Sequence, residues 1–188
     1  MIPVRDVIPS RTRPGVTVAL LAAQAAGLLA PGVRQWWLPW CVNIVVLWLF
    51  GSTLEDRLGH GRFALFCLLC ATTAAAASVV AGSAAVVPVA AGGAVAGVSA
   101  AYLLMFPRSR ILALVPVAVG LDVMDVPAWF VLGVWVIVQG AAAGTVGARD
   151  AAASGVAMII GMFTGAVTGG LACLLLRRPE RMGVDWWD

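Results

Sequence analysis

The chain reads as an all-α polytopic membrane protein, a bundle of six transmembrane helices with both termini cytoplasmic. Three observations predict this. Hydrophobic residues make up 62% of the 188 and charged ones only 11%, with a mean hydropathy of +0.99. An ordinary soluble domain is about 25% charged, so this chain lacks the polar side chains to cover a water-facing surface. Its charges also fall in short clusters that cut the sequence into apolar blocks, and its arginines are distributed unevenly between alternate connections.

The blocks follow in order. Arg5, Arg11 and Arg13 precede a block at 16–30, and Arg34 precedes a Trp-rich block at 36–51. Glu55, Asp56, Arg57 and Arg62 separate that block from one at 63–81. A Gly/Pro break leads to 89–106, closed by Pro107-Arg108-Ser109-Arg110, and two further blocks lie at 127–143 and 155–176. This predicts a cytoplasmic segment over 1–15, a membrane domain over 16–176 and a cytoplasmic tail over 177–188. A span needs about 20 apolar residues. The first two blocks fall short and require a locally thinned bilayer. Each span must be helical, because an open strand would leave backbone groups unpaired in lipid.

All twelve basic residues are arginines. With six spans, Arg5, Arg11, Arg13, Arg57, Arg62, Arg108, Arg110, Arg177, Arg178 and Arg181 share one side, against Arg34 and Arg149 on the other. This asymmetry makes the termini cytoplasmic. The first block ends in Pro31-Gly32 without an A-x-A-like site, so no cleaved signal peptide is expected. Cys41, Cys67, Cys70 and Cys173 all fall inside spans and read as small apolar residues rather than disulfides. Cys67 and Cys70 make a C-x-x-C without the further ligands a zinc site wants. No metal, cofactor or nucleic acid is expected; the expected surroundings are the lipid bilayer and the transmembrane helices of other proteins.

The stretch "WLPWCVNIVVLWLFGSTLEDRLGHGRF" (37–63) resembles the second span and first cytoplasmic loop of rhomboid intramembrane serine proteases, W-L-H-x-x-x-N, then F-G and E-D-R-x-G. "GGAVAGVSAAYLLMFPRSRILALVP" is similar to their fourth span, G-A-S-G-A-I-S-G followed by A-Y and F-P. "VPAWFVLGVWVIVQ" (126–139) and "IIGMFTGAVTGGLACLLLRR" (159–178) resemble the fifth and sixth, and "MIPVRDVIPSRTRP" resembles a bacterial opening of the family. The resemblance runs in order over nearly the whole chain.

The resemblance implies a nucleophilic serine on the fourth span, a histidine on the sixth, and a histidine and asparagine on the second that hold the oxyanion. The nucleophile position falls on Gly92 when Tyr102 and Pro107 set the frame, or on Gly93 when Pro88 does. The sixth-span histidine falls on Ile159, or on Met158, depending on frame; the second-span histidine becomes Pro39, and Asn43 alone keeps the family residue. The chain's one histidine, His60, lies in the cytoplasmic loop, and there is no lysine. A catalytic serine needs a base within about 2.6–3.2 Å. Gly92 lies fifteen residues before Pro107, roughly 22 Å along a helix. Ser99, two turns deeper, reads as a small residue at a helix contact.

Gly93 and Gly97 form a G-x-x-x-G, and Gly161 and Gly165 repeat it on the sixth span. Small residues at this spacing let helix backbones approach closely. His60, between Gly59 and Gly61, reads as a turn or helix start, and Glu55, Asp56 and Arg57 as organisers of their loop through ion pairs and capping. Trp36, Trp37 and Trp40, with Trp186 and Trp187 in the tail, read as interfacial aromatics. Asn43, polar at membrane depth, reads as a helix-pairing or cavity residue. The stretch 111–126, broken by Pro116, Gly120, Asp122 and Asp125, reads as an amphipathic or re-entrant element on the cytoplasmic face. Only Pro31 to Gln35 join the first two spans, where rhomboids typically carry a long hairpin.

The expected function is that of an inactive rhomboid-like protein, a pseudoprotease of the bacterial plasma membrane that binds transmembrane segments of clients or partners. The alternative is an intramembrane serine endopeptidase, which would require an unrecognised nucleophile such as Ser99.

Overall fold

The computed structural model describes residues 2–6, 14–29, 37–117, 120–145 and 151–176. Its helices are α1 (Gly15–Gly27), α2 (Trp37–Leu58), α3 (His60–Val80), α4 (Val86–Met105), α5 (Ala128–Thr145) and α6 (Ala151–Leu176). Among the described residues, three strands accompany them: β1 (Ile2–Asp6), β2 (Arg110–Val117) and β3 (Gly120–Pro127). Four helices there are long and apolar enough to cross a membrane: Trp37–Leu58, His60–Val80, Val86–Met105 and Gly155–Leu176. The apolar stretches Gly15–Gly27 and Ala128–Ala142 are shorter. The all-α class therefore holds for the bundle, with a small sheet added at one end.

Local chemistry explains where the helices differ from the expected blocks. The second helix does not stop near Gly51 but continues to Leu58. Gly51 is a contact there, not a breaker: a Cβ on it would lie 3.0 Å from Thr17 Cγ2 of α1. Gly59 ends the helix with φ of +84°, a left-handed conformation that glycine adopts at little cost. Its N–H donates to Glu55 O at 2.7 Å and its carbonyl accepts from Phe63 N at 2.9 Å, so α3 starts at His60, earlier than expected. Pro88 sits in the first turn of α4, where its missing N–H leaves no helical bond unmade.

The stretch 111–126 is neither a helix nor a re-entrant segment but a hairpin of β2 and β3, with Arg110 opposite Pro127 and Val117 opposite Gly120. β1 adds to it antiparallel, Ile2 opposite Leu114 and Asp6 opposite Ile111, in the order β1-β2-β3. Pro116 and Gly120 end helical continuity, and the antiparallel return brings the chain back to where α4 ended. The stretch thus adds no crossing of its own. The N-terminal segment, expected only to precede the membrane domain, contributes a strand.

The helices alternate in direction. Val16 N and Thr17 N at the start of α1 donate to Glu55 near the end of α2, at 2.9 and 2.7 Å. Arg62 at the start of α3 reaches Leu176 O at the end of α6. Ala128 N at the start of α5 donates to Ser109 O just after α4. Pro14 and Leu176 therefore lie at the same end of the bundle as the sheet.

Large apolar side chains point outward along these helices, among them Leu68, Ile137, Phe163 and Leu175, exposed by 60, 70, 68 and 84%. Polar residues such as Asn43, Glu55 and Gln139 are buried. That inversion suits lipid surroundings. Trp37 is exposed, whereas Trp40, expected in an interfacial belt, is buried and donates from Nε1 to Gln24 O of α1. The indole is drawn inward because Gly27 leaves room for it, a Cβ there lying 2.5 Å from Trp40 Cζ2. Trp36, Trp186, Trp187, Arg34, Arg149 and the connection Pro31 to Gln35 lie outside the described residues.

The close contact is between α4 and α6. A methyl on Gly165 would collide with the Gly93 carbonyl, and one on Gly169 with the Gly97 backbone. From behind, Ala74 and Cys70 of α3 press against Gly93 and Gly97. Gly161 instead faces Val89. On α5, by contrast, a methyl on Gly133 or Gly140 would meet nothing within 4 Å. Gly165→Ala should therefore destabilise the protein by about 1–3 kcal/mol through overpacking, while Gly133→Ala should be neutral or slightly stabilising. Thermal unfolding in detergent micelles measures both, and equal effects would contradict the assigned contact.

Candidate functional site

A buried polar cluster joins α2 to α5. Asn43 Oδ1 accepts hydrogen bonds from Trp135 Nε1 at 2.9 Å and from Gln139 Nε2 at 2.5 Å. Gln139 Nε2 also donates to Pro39 O at 3.2 Å. All four residues are buried. Residues 135 and 139 are four apart, so both side chains lie on one face of α5. Sequence reasoning found Asn43 but missed Trp135 and Gln139; a Trp and a Gln one turn apart in an apolar span were the available signal.

Gly92 stands beside this cluster. A Cβ there would lie 4.0 Å from Asn43 Nδ2 and 3.9 Å from Met162 Cγ, ordinary van der Waals contact. Gly93 has no such room, being pressed against Ala74, with Gly161 O 3.1 Å from its Cβ position. Of the two frames, Gly92 is the one whose side-chain position opens toward Asn43. On α6, neither expected residue comes within 4 Å of that position. Ile159 is 57% exposed, and Met158 is buried in a separate cluster with Trp40, Ala74 and Val89. Met162, one turn on, is the α6 residue that reaches it.

Asn43, Met162, Trp135 and Gln139 offer donors, acceptors and a thioether, but no group that takes up a proton near neutral pH. The arrangement can orient a polar atom; among the described residues it contains no general base. Ser99 is buried, and its hydroxyl donates to Val95 O at 2.8 Å, one turn back in the same helix. His60, at the far end, is held by Glu55, with 2.5 Å between Nδ1 and Oε1. Glu55 also accepts from the Thr17 hydroxyl at 2.6 Å, so its carboxylate caps α1 and ties it to the α2–α3 turn. Cys41, Cys67, Cys70 and Cys173 are free thiols.

Beyond the cluster, α5 leans on α2 and leaves a groove of about 620 Å³ against α4 and α6. Ala96, Ala100 and Leu103 of α4 line one wall, Gly133 and Gly140 the facing one, and Ile159 and Phe163 of α6 a third. Among the described residues, no charged or titratable side chain lines it.

The family model of the Rhomboid domain matches residues 37–175, more than half of the chain. The chain belongs to the rhomboid family. The match begins at the first residue of α2 and ends one residue before the end of α6, so it takes in the Asn43 cluster, Gly92 and the glycine contact of this rhomboid. No curated protein and no solved structure matches the chain.

Asn43→Ala in this rhomboid would leave the Trp135 donor buried without its acceptor and Gln139 Nε2 with Pro39 O alone. A loss of about 1–3 kcal/mol in stability is expected, read from thermal unfolding in micelles with tryptophan emission as the signal. An unchanged midpoint would show that the α2–α5 bonds do not contribute.

Proposed function

We propose that this rhomboid-family protein binds transmembrane segments of client or partner membrane proteins without cleaving them. One observation carries the reading. The position where the family resemblance implies a nucleophile is Gly92, and the side chains within 4 Å of its Cβ position are an amide and a thioether, neither a proton acceptor. Ser99, the nearest serine by sequence, spends its hydroxyl on the Val95 carbonyl. In a serine protease, loss of the nucleophile lowers the rate by about 10⁶, equivalent to roughly 8 kcal/mol.

Binding is supported by different features. The lateral groove is lined by apolar side chains except for Ser99, and Gly133 and Gly140 present an open face of α5 with no partner inside the described chain. Small residues without an internal partner suit close approach by another helix.

A fluorophosphonate probe added to the purified protein in detergent should form no adduct. Gly92→Ser should fold, since its Cβ meets no close atom, and should also stay unlabelled, because the base is still missing. Stoichiometric labelling of Ser99 would instead establish the endopeptidase reading. A photoactivatable residue at position 133 should crosslink to transmembrane proteins in native membranes. Recovery no greater than from a probe on the outer face of α3 would remove the client.

We further propose that the protein resides in a bacterial plasma membrane with both termini cytoplasmic. The arginine asymmetry supports this, as does the meeting of Pro14, the sheet and Leu176 at one end. Alkaline phosphatase fused after the last residue should be inactive and a fluorescent protein there bright; the reverse pattern would invert the topology.

A further inference from the structure

Of the arginines whose side chains are described, three are engaged. Arg57 lies over the Phe106 ring at 5.2 Å, Arg62 donates to Leu176 O, and Arg110 stands 3.9 Å from Asp125. Arg108 is exposed and makes no ion pair or hydrogen bond with any described residue. Beside it, the Ser109 hydroxyl oxygen is buried without a partner among the described residues. The Ser109 backbone is fixed, its N–H donating to Phe106 O and its carbonyl accepting from Ala128 N, both at 3.1 Å. Together with Phe106 and Pro107 these two residues line a concavity of about 560 Å³ at the end of α4.

This concavity lies where the apolar groove leads. Ala96, Ala100 and Leu103 line the groove from α4 at steps of four and three residues, one face of the helix, and Ala128, whose N–H donates to the Ser109 carbonyl, precedes the groove's Trp129. Trp129 at the start of α5 stands at the same end of the groove. One end of the apolar groove thus lies near a cation and a hydroxyl that find no partner among the described residues.

We propose that this site binds an anionic phospholipid of the surrounding bilayer, its phosphate on Arg108 and Ser109 and one acyl chain lying along α4 in the groove. The charge pattern selects the ligand. An acyl chain gains nothing by leaving bulk lipid for an equally apolar groove, so preference must come from the headgroup, through charge-assisted bonds to arginine. Asp125, an acid at the same end of the bundle, already stands with Arg110. A guest helix would bring apolar side chains to the groove but nothing obligatory for Arg108.

The test uses the full-length protein in zwitterionic micelles, titrated with phosphatidylglycerol or phosphatidylcholine carrying the same brominated chains. Bromine quenches indole emission on contact, and Trp129 and Trp135 line the groove. Phosphatidylglycerol should quench with an apparent affinity on the order of fivefold higher. Arg108→Gln should abolish that difference, Arg108→Lys should keep most of it, and Arg62→Gln should leave it intact. Glycerol phosphate should not compete, since the chain is part of the ligand. Equal quenching by both lipids, or an Arg62→Gln effect as large as that of Arg108→Gln, would overturn the site, the latter by showing general surface charge. Lipid and client share the groove, and Arg108→Gln separates the two proposals: lipid preference should vanish while crosslinks from position 133 persist.

Discussion

The contact of α4 with α6, backbone on backbone, fixes the rest of this molecule. In lipid there is no hydrophobic force to press helices together, and close packing has to supply the association. Here the Gly93 carbonyl fills the space a side chain on Gly165 would take, and the Gly97 backbone does the same at Gly169. Ala74 and Cys70 of α3 enter the same notch from behind. On the other side Tyr102 packs against Phe50 of α2, their ring centres 4.4 Å apart. The depth at which every helix sits follows from this seam, including the depth of Gly92, which is one residue from Gly93 and turned about 100° away from it.

Polar groups inside the bundle serve the same end. Two donors on α5 share the Asn43 carbonyl, which sets where α5 stands against α2 and leaves the groove open on its far side. Glu55 does the equivalent work for α1, a helix of 13 residues and about 20 Å, too short to be held by packing along a full bilayer. Its carboxylate takes two backbone donors and a hydroxyl at the helix start, where the macrodipole favours negative charge. These hydrogen bonds thus act as positioning devices, each joining one helix to another.

Much of this was legible in the chain. Arginine clusters marked the connections, the four-residue spacing of glycines marked the seam, and an asparagine in an apolar run marked the polar centre. What escaped reading has physical causes. Gly51 looks like a stop but is a crossing point, and only the presence of Thr17 across from it reveals the difference. Gly169 completes the seam, yet a sixth span with glycines at 161, 165, 169 and 170 does not say which of them face α4. Trp40 reads as interfacial until Gly27 is seen to make space for it. The hairpin was hidden because its pairing partner, β1, lies more than a hundred residues away, and apolar runs broken by proline and glycine carry no period that decides between strand and helix.

The seam and the loose contacts at Gly92 also explain why this fold tolerates the residues it has. A Cβ at 92 would make only ordinary contacts, so the packing there does not demand glycine. A proton acceptor is a different demand. The α6 atom nearest that position belongs to Met162, whose neighbour Gly161 is pressed against Val89, and whose helix is locked at Gly165 and Gly169. Shifting α6 by one turn to present another residue would break the seam. The packing that holds the bundle together thus makes Met162 the α6 residue whose side chain lies within 4 Å of the position a side chain at 92 would take.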